Sequence, residues 1–199
     1  IANVKIIPFA INSKILEKFK KMSVKNKNYF SIAPVQVKNA SLIITNDGNV
    51  NPKIIEKSII EISKRLNKLD VKILKIEVTP HDNTAISKKI IEHQSLGSQL
   101  ILIHGYSSII DIRDTIPVSI KSIGGKIIFF GMPVDPGNLL LYGKLKNTDI
   151  IGVPGCAKSP KLNGFDWVLD ILCCKVTLDK NIIANMGSGG LLKELYKKI

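Results

Sequence analysis

The sequence predicts an α/β fold, a three-layer α/β/α sandwich around a mostly parallel sheet. Three observations lead to this prediction. From residue 41 onward, apolar runs of strand length alternate with segments of helical periodicity. Residues 99–104 form a largely apolar run followed by a polar turn, as expected of a strand covered by helices on both faces of its sheet. The chain has 199 residues, 45% of them hydrophobic, which fits one domain with a sizeable core.

The first forty residues are predicted to be an appendage, or the remnant of a preceding module, and residues 41–199 to be the main domain. Residues 4–9 have the pattern of a strand, and Ser13 can cap a short helix that continues to Met22. Residues 30–37 alternate in polarity, which predicts a second strand before the main domain begins.

The first elements of the main domain are predicted from local signals. Residues 41–45 are typical of a buried strand that ends in a polar turn. Asn51 stands where a helix N-cap is expected, with Pro52 at the first helical position. A strand over residues 71–78 and a helix over residues 85–93 follow.

The strand at residues 99–104 is predicted to lie centrally in the sheet. The remaining elements are a helix over residues 111–122, strands over residues 126–130 and 149–153, a helix over residues 165–173 and a helix-like run over residues 191–199.

The charge of the chain is strongly basic but carries little information about a partner. Its 29 basic and 16 acidic residues give a net charge of +13, and 27 of the basic residues are Lys. Only Arg65 and Arg113 offer the guanidinium fork that reads bases and clamps phosphates. A solvated basic surface is therefore favoured over a nucleic-acid interface, an alternative that rests on charge alone. Attraction of a small anionic ligand stays open.

Several classes of protein are excluded by composition. The apolar runs fall far short of the roughly 20 residues that span a bilayer, and no signal peptide is recognisable. Three cysteines, of which Cys173 and Cys174 are adjacent, cannot form a disulfide framework and predict a cytoplasmic protein. The chain starts at Ile1 without Met, directly in a strand-like run, which favours an excised domain of a larger protein.

Four turns with small and polar residues are candidates for a binding site. They cover residues 45–48, 105–114, 132–138 and 154–160. Turns at the carboxyl ends of parallel strands line the ligand crevice of such folds, and exposed backbone N–H groups at these turns favour anions. No turn matches a Walker A or GxGxxG motif, so dinucleotide binding through those motifs is not supported.

The order of these turns resembles a known family. Asp47 in its turn, residues 105–114, Pro136-Gly137-Asn138 and Pro154-Gly155-Cys156 follow one another as in the MogA/MoeA-like molybdopterin-binding domain. The resemblance covers residues 41–174. It is stronger for a bacterial subfamily in which this domain precedes a MobA-like nucleotidyltransferase domain, through the stretches VKIIPFA (4–10), FGMPVDPGNLLL (130–141) and GVPGCAKSPKLNGFDWVLD (152–170).

The resemblance implies a function in molybdenum cofactor biosynthesis. The ligand would be molybdopterin or the molybdenum cofactor, with Mg²⁺ for a nucleotidylated form, and no resident metal is expected. The expected partners are a nucleotidyltransferase domain in the same full-length chain and further copies of this chain as a dimer or trimer; neither nucleic acid nor a membrane is expected. The implied binding residues are Thr45, Asp47, Gly105, Ser107, Ser108, Asp111, Asp114, Asp135, Pro136, Gly137, Asn138, Pro154, Gly155, Cys156 and Lys158.

Two alternatives stay open. A molybdenum insertase acting on nucleotide-activated molybdopterin would use the same turns, although the altered motifs, such as Thr45-Asn46-Asp47 without its glycine, favour binding over chemistry. Individual residues also have structural interpretations: Asp47 as an Asx-turn, Asp114 as a helix cap and Cys156 as an inert thiol. As a rim carboxylate, Asp114 is expected to contribute little to stability.

Overall fold

The computed structural model describes residues 10, 12–25 and 32–192, and the chain divides into two compact units, Ile1–Ala33 and Pro34–Ile199. In the first unit, helix α1 (Ser13–Lys25) is capped by Asn12, whose side chain accepts a hydrogen bond from the Lys14 N–H at 2.9 Å. The predicted cap at Ser13 was one residue late. The strand predicted over residues 4–9 lies outside the described residues, and the domain boundary at residue 40 stays a prediction.

A six-stranded sheet forms the centre of the second unit. Its strands are β1 (Asn39–Asn46), β2 (Lys72–Pro80), β3 (Leu100–His104), β4 (Lys126–Phe130), β5 (Leu141–Leu145) and β6 (Thr148–Val153), in the order β2-β1-β3-β6-β5-β4. β1, β2, β3 and β6 run parallel, whereas β4 and β5 are antiparallel to their neighbours. The mostly parallel sheet and the interior position of β3 are both confirmed.

Helices cover both faces of the sheet. On one face lie α2 (Pro52–Lys68), α5 (Gly164–Cys173) and α6 (Lys180–Asn185), which bury Leu66, Phe165 and Ile183 against the sheet. On the other face lie α3 (Asn83–Ser95) and α4 (Thr115–Ser122), which bury Ile90 and Ile120. Each of these side chains contributes about 1.5–3 kcal/mol through burial, so the three layers stabilise one another.

Strand β1 serves both cores because successive side chains of a strand point to opposite faces. Leu42 and Ile44 pack with α2 and α5, and Ile43 packs with α3 and α4. The neighbouring strands keep this alternation, since Leu42 lies opposite Leu102 of β3 and Leu102 lies opposite Ile151 of β6. The register therefore aligns the carboxyl ends of β1, β3 and β6.

The strand predicted over residues 30–37 is wrong for its described part. Residues 32–37 carry no strand, and the backbone N–H groups of Gln36 and Val37 both donate to the Cys173 carbonyl at 2.8 and 3.0 Å. This segment therefore caps the end of α5. Its alternating polarity reflects a single buried side chain, Val37, rather than a sheet face.

Two elements were missed in the sequence. β5 is antiparallel to β6 and is joined to it by a two-residue turn that contains Lys146 at φ 53°. Gly143 and Lys144 of β5 weaken the apolar pattern by which a strand is recognised in a sequence. α6 has only six residues, too few for a helical period to be recognised.

Candidate functional site

The carboxyl ends of β1, β3 and β6 meet at a small pocket, here called the niche. Its volume is about 90 Å³. The niche is lined by Ile44, Thr45, Val50, Ile54, Ile55, Ser58, His104, Gly105, Tyr106, Ser107, Ser108, Gly155 and Lys158. Its apolar wall comes mainly from α2, and its polar wall comes from the turns after β3 and β6.

Thr45 connects the ends of β1, β2 and β3. Its buried hydroxyl accepts a hydrogen bond from the Tyr106 N–H at 3.0 Å and lies 2.7 Å from His81 Nδ1. The rings of His81 and Tyr106 meet edge to face, with centroids 4.7 Å apart. Burial lowers the pKa of His81, although the negative charges of three nearby carboxylates act to raise it. Thr45 thus holds the first residues of the turn after β3 in place.

The turn after β3 is shaped by its own backbone. A Cβ on Gly105 would stand 2.6 Å from the Ser107 carbonyl oxygen, so a larger residue would force the turn open. At the far end of the turn, Asp114 Oδ2 accepts hydrogen bonds from the N–H groups of Ile110 at 2.7 Å and Asp111 at 3.0 Å. The carboxylate of Asp114 therefore faces back into the turn.

This arrangement corrects the predicted start of α4. Asp114 occupies the N-cap position but makes no side-chain cap hydrogen bond, and the helix begins at Thr115 rather than at residue 111. Asp111 forms an exposed ion pair with Arg113, with 2.8 Å between Oδ1 and Nε. The guanidinium of Arg113 lowers the pKa of Asp111. Two acidic residues predicted at the site thus have local structural partners.

A wider pocket, here called the cleft, adjoins the niche. Its volume is about 590 Å³. It is lined by His81, Tyr106, Ser107, Ser108, Ile109, Ile110, Arg113, Asp114, Thr115 and Ile116. Tyr106, Ser107 and Ser108 line both pockets, so this short segment is the wall that the niche and the cleft share.

The turn after β6 is held by Arg65 of α2, which the sequence did not indicate. Its guanidinium donates to the carbonyl oxygens of Ala157 at 2.9 Å and Ser159 at 2.8 Å, and Nε lies 2.6 Å from Asp166 Oδ1. These contacts fix the 3₁₀ turn Gly155–Lys158, which carries Gly155 and Lys158 to the niche. The available signal in the sequence was the rarity of Arg, since Arg65 is one of two Arg beside 27 Lys.

His104 is a second residue that sequence reasoning did not assign to the site. It ends β3, is 6% exposed and lines the niche. Within the described residues, its Nε2 has no hydrogen-bond partner. Burial, reinforced by the charge of Lys158, lowers the pKa of His104 to about 4, so the imidazole is neutral at physiological pH. The available signal for His104 in the sequence was a polar residue at the end of an otherwise apolar strand.

Cys156 is half-buried beside the niche but does not line it. Burial raises the pKa of its thiol above the usual range, which keeps the sulfur protonated at neutral pH. This environment is that of a packing thiol rather than a nucleophile.

Residues 135–138 line neither the niche nor the cleft. Gly137, at φ 127°, packs so closely on the start of α5 that a Cβ would stand 2.5 Å from the Gly164 nitrogen. The carbonyl of Pro136 accepts a hydrogen bond from the Gly164 N–H at 2.8 Å, and the Asp135 N–H donates to the Gly190 carbonyl at 2.8 Å. This loop is therefore tied to the start of α5 and to residues 190–192 rather than to the niche.

The structure brings together about half of the residues predicted at the site. Those that line the niche are Thr45, Gly105, Ser107, Ser108, Gly155 and Lys158. Asp114 lines the cleft, and Asp47 forms an exposed Asx-turn with the Asn49 N–H at 2.9 Å. The others line neither pocket: Asp47, Asp111, Asp135, Pro136, Gly137, Asn138, Pro154 and Cys156.

Two other kinds of feature are absent from the described ranges. Over residues 10, 12–25 and 32–192, no group of three or more His, Cys, Asp or Glu side chains is arranged to hold a metal ion. Over the same ranges, no helix has the length and apolar character needed to cross a membrane.

Comparison with known proteins gives a match in structure. No protein-family profile matches the chain, and no curated protein matches it in sequence. The molybdopterin biosynthesis protein MoeA from Pyrococcus horikosii is similar over 79% of this chain, with a TM-score of 0.51 and 18% identity. CinA from Thermoplasma acidophilum, a protein of unknown function, is similar over 68% of this chain and 96% of its own, with a TM-score of 0.51 and 15% identity. The chain has the fold of these proteins.

The extent of this likeness is limited. The chain spans 40% of the length of the Pyrococcus MoeA. The tungsten cofactor synthesizing protein MoaB from Pyrococcus furiosus is also similar, over 69% of this chain and 91% of its own, with a TM-score of 0.49 and 17% identity. At 18% and 15% identity, the likeness to MoeA and CinA establishes the α/β/α architecture that the sequence predicted.

Proposed function

We propose that this domain binds molybdopterin in molybdenum cofactor biosynthesis, with the phosphate of the ligand in the niche and its ring system in the cleft. The observation that carries the proposal is the wall formed by Tyr106, Ser107 and Ser108, which joins a small pocket with one polar wall to a wider pocket. A ligand with a compact anionic end and a broad flat body matches this pair of pockets in size and polarity.

The niche offers donors to an anion. Ser107, Ser108 and Lys158 are exposed, and no hydrogen bond or ion pair within the described residues engages their side chains. Hydroxyl and ammonium groups that are free to turn toward a phosphate form charge-assisted hydrogen bonds. The glycines at positions 105 and 155 have no side chain, so an anion can closely approach the backbone of these two turns.

The cleft offers a surface to a flat ring. The phenol of Tyr106 is half-exposed at the shared wall, and Ile110, which also lines the cleft, is exposed. Aromatic and aliphatic side chains at such positions pack against the faces of heteroaromatic rings. Oδ2 of Asp114 accepts the hydrogen bonds of the turn, so Oδ1 is the oxygen that can accept from ring N–H groups of a ligand in the cleft.

Binding is favoured over molybdenum insertion. The carboxylates of Asp47 and Asp114 already accept backbone hydrogen bonds, and Asp111 pairs with Arg113. These groups therefore build the turns, and the niche itself contains no carboxylate. A binding site for the pterin needs no more than the donors and the ring surface described above.

The finer role rests on the resemblance of the sequence. We propose that the domain presents the pterin phosphate to a nucleotidyltransferase partner, in the same full-length chain, and that copies of the chain self-associate. A nucleotidylated form of the ligand would bring Mg²⁺ with it, and a cytoplasmic location fits this pathway. Identification of the full-length gene product, followed by light scattering at micromolar concentration, tests both the partner and the oligomer.

The binding proposal is tested with a charge-matched pair of variants. Molybdopterin binding is followed by pterin fluorescence for the wild type, K158Q and K161Q. Lys158 lines the niche, whereas the Lys161 side chain does not, and both substitutions remove one positive charge. We expect K158Q to weaken binding about tenfold or more, with K161Q within twofold of the wild type. No binding by the wild type, or equal loss in both variants, would contradict the proposal.

A further inference from the structure

β2 forms one edge of the six-stranded sheet, and no strand within the described residues pairs with its outer side. The N–H of His81, directly after the strand, donates to the Asn46 carbonyl of β1 at 3.0 Å. Because successive residues of a strand direct their N–H and C=O groups to opposite sides, Ile76 and Val78 direct theirs away from β1. An edge of this kind can bind a further strand through main-chain hydrogen bonds.

The same strand exposes a row of apolar side chains on one face of the sheet. Ile76 lies opposite Leu42 of β1 and Val78 lies opposite Ile44, and these two β1 side chains belong to the core under α2 and α5. Opposed residues of neighbouring strands share a face, so Ile76 and Val78 point to the layer of α2. They are 39% and 47% exposed, and Leu74, two residues before Ile76, is 37% exposed. The row is therefore accessible along the edge of the sheet.

The opposite face of β2 carries two charges of opposite sign. Glu77 lies opposite Ile43 of β1, which packs with α3 and α4. Its carboxylate lies 3.0 Å from the Lys75 ammonium and 2.7 Å from the Lys89 ammonium of α3. Lys75 is on the same face because it precedes Glu77 by two residues. A cation and an anion therefore flank Ile76 at equal distances along the strand.

These two patterns make the strand complementary to itself. When two β2 strands pair in antiparallel direction about a two-fold axis at Ile76, the Ile76 side chains of the two copies lie opposite each other. Val78 of each copy then lies opposite Leu74 of the other. On the charged face, Lys75 of each copy lies opposite Glu77 of the other. Apolar pairs and opposite charges at directly opposed positions stabilise antiparallel strands.

The other edge of the sheet lacks this complementarity. β4 has the sequence KIIFF, and antiparallel pairing about its central residue, Ile128, would place Lys126 opposite Phe130 and would oppose no two unlike charges. Ile128 is 38% exposed, close to the 39% of Ile76. The two edges therefore present central isoleucines of similar exposure and differ in the side chains that flank them.

We propose that two copies of this chain associate through β2, by antiparallel pairing about Ile76 that joins their two sheets into one. The partner is a second copy because Lys75 and Glu77 match the charges of the same strand read in reverse. This inference specifies the self-association included in the proposed function. It does not depend on the ligand, since no residue of β2 lines the niche or the cleft. Pro80, which has no N–H, limits the pairing at the end of the strand.

The surface is tested by light scattering at micromolar concentrations with the wild type, I76K and I128K, each checked for folding by circular dichroism. In I76K, two ammonium groups would lie opposite each other at the two-fold axis, and the apolar contact there would be lost. I128K is the matched control, because it places the same charge at the centre of the other edge. We expect the wild type and I128K to have twice the mass of the chain, and I76K to dissociate about tenfold or more readily.

The register is tested with single cysteine substitutions under mild oxidation. In a hydrogen-bonded antiparallel pair, opposed Cα atoms lie about 5.5 Å apart, a distance that a disulfide can span. Because Ile76 lies opposite its own copy, I76C should form a disulfide-linked dimer. In V78C the two substituted positions are four residues apart along the paired strands, about 13 Å, so this variant should stay unlinked. The wild type under the same oxidation measures any linkage through the native cysteines.

Linkage of I76C but not of V78C, with loss of the dimer in I76K alone, would support the proposal. A monomeric wild type would overturn it, and slow hydrogen exchange of the outward β2 amides in that monomer would show that another part of the same chain covers the edge. An oligomer that I76K leaves intact, or equal linkage of I76C and V78C, would also overturn it. Molybdopterin binding is measured in parallel by pterin fluorescence, with I76K expected within twofold of the wild type. Absence of pterin binding by a wild-type dimer would contradict the proposed ligand and leave this interface supported.

Discussion

Arg65 and Asp166 join two helices of the same layer, with 2.6 Å between Nε of the first and Oδ1 of the second. The second oxygen of Asp166 accepts the Asn163 N–H at 2.8 Å and so completes the capping box of α5. The same guanidinium binds the carbonyl oxygens of the turn after β6. One side chain therefore positions both the start of α5 and the turn that brings Lys158 to the niche.

Removal of the guanidinium is the first prediction. We expect R65A to lower the free energy of unfolding by about 3–5 kcal/mol, because Asp166 and four carbonyl oxygens lose a partly buried donor. R113A is the matched control: the side chain of Arg113 is 86% exposed, so its removal should leave the stability close to that of the wild type. Urea denaturation of both variants measures the difference. Equal stabilities would show that the ion pair contributes nothing.

The second prediction concerns Asp114 and revises the expectation from sequence. Its carboxylate accepts two backbone N–H groups within the turn after β3, so it contributes to stability as well as to the rim of the cleft. We expect D114N to lower the free energy of unfolding by about 1–3 kcal/mol and to weaken molybdopterin binding. D111N, at an exposed ion pair, should leave the stability close to that of the wild type. An unchanged melting temperature for D114N would restore the earlier expectation.

The third prediction concerns acid stability on the α3 face of the sheet. Hydrogen bonds from Lys89 and Lys75 lower the pKa of Glu77 from 4.5 to about 2. A carboxyl group with a lowered pKa in the folded state stabilises the protein above its ordinary pKa, and this contribution is lost as the pH falls from 4.5 towards 2. We expect E77Q to be less stable than wild type at pH 6 and equal to it near pH 2. Thermal melts across this range test the convergence.

The fourth prediction uses His104 in the absence of ligand. Its folded pKa of about 4 lies below the ordinary 6.5, so the unfolded chain binds more protons between these values. Stability therefore falls as the pH drops from 6.5 to 4, by about 3 kcal/mol from this group. H104F should remove the part of this loss of stability that comes from His104. The part that comes from buried His93 should persist, because burial lowers the pKa of His93 as well. Denaturation curves at pH 7 and pH 4 measure both contributions; an unchanged slope in H104F would contradict this view.

Local signals predicted much of the sheet and its helices. Asn51 caps α2 as expected, with its side chain accepting the Lys53 N–H at 2.9 Å, and Pro52 is the first helical residue. Asp82 likewise caps α3 through the Ala85 N–H at 2.8 Å. Such signals depend on neighbours within four residues, so they are present in the sequence before any tertiary contact forms.

The candidate site could be predicted only in part. Ser107 and Gly155 follow strands whose parallel arrangement was predicted, and the carboxyl ends of such strands meet. Gly137 follows no parallel strand of the centre, and its loop instead packs on the start of α5. The order of the turns along the chain therefore predicted the site less well than the identity of the strand that each turn follows.

The sequence by itself determined the layers, the caps and the interior position of β3, because apolar period and capping side chains act over a single turn or strand. Only the tertiary structure decided that Arg65 reaches a turn more than ninety residues away and that His104 Nε2 has no hydrogen-bond partner among the described residues. Those relationships depend on which helix faces which turn. The packing of α2 against the ends of β1 and β6 settles that question, and no local pattern encodes it.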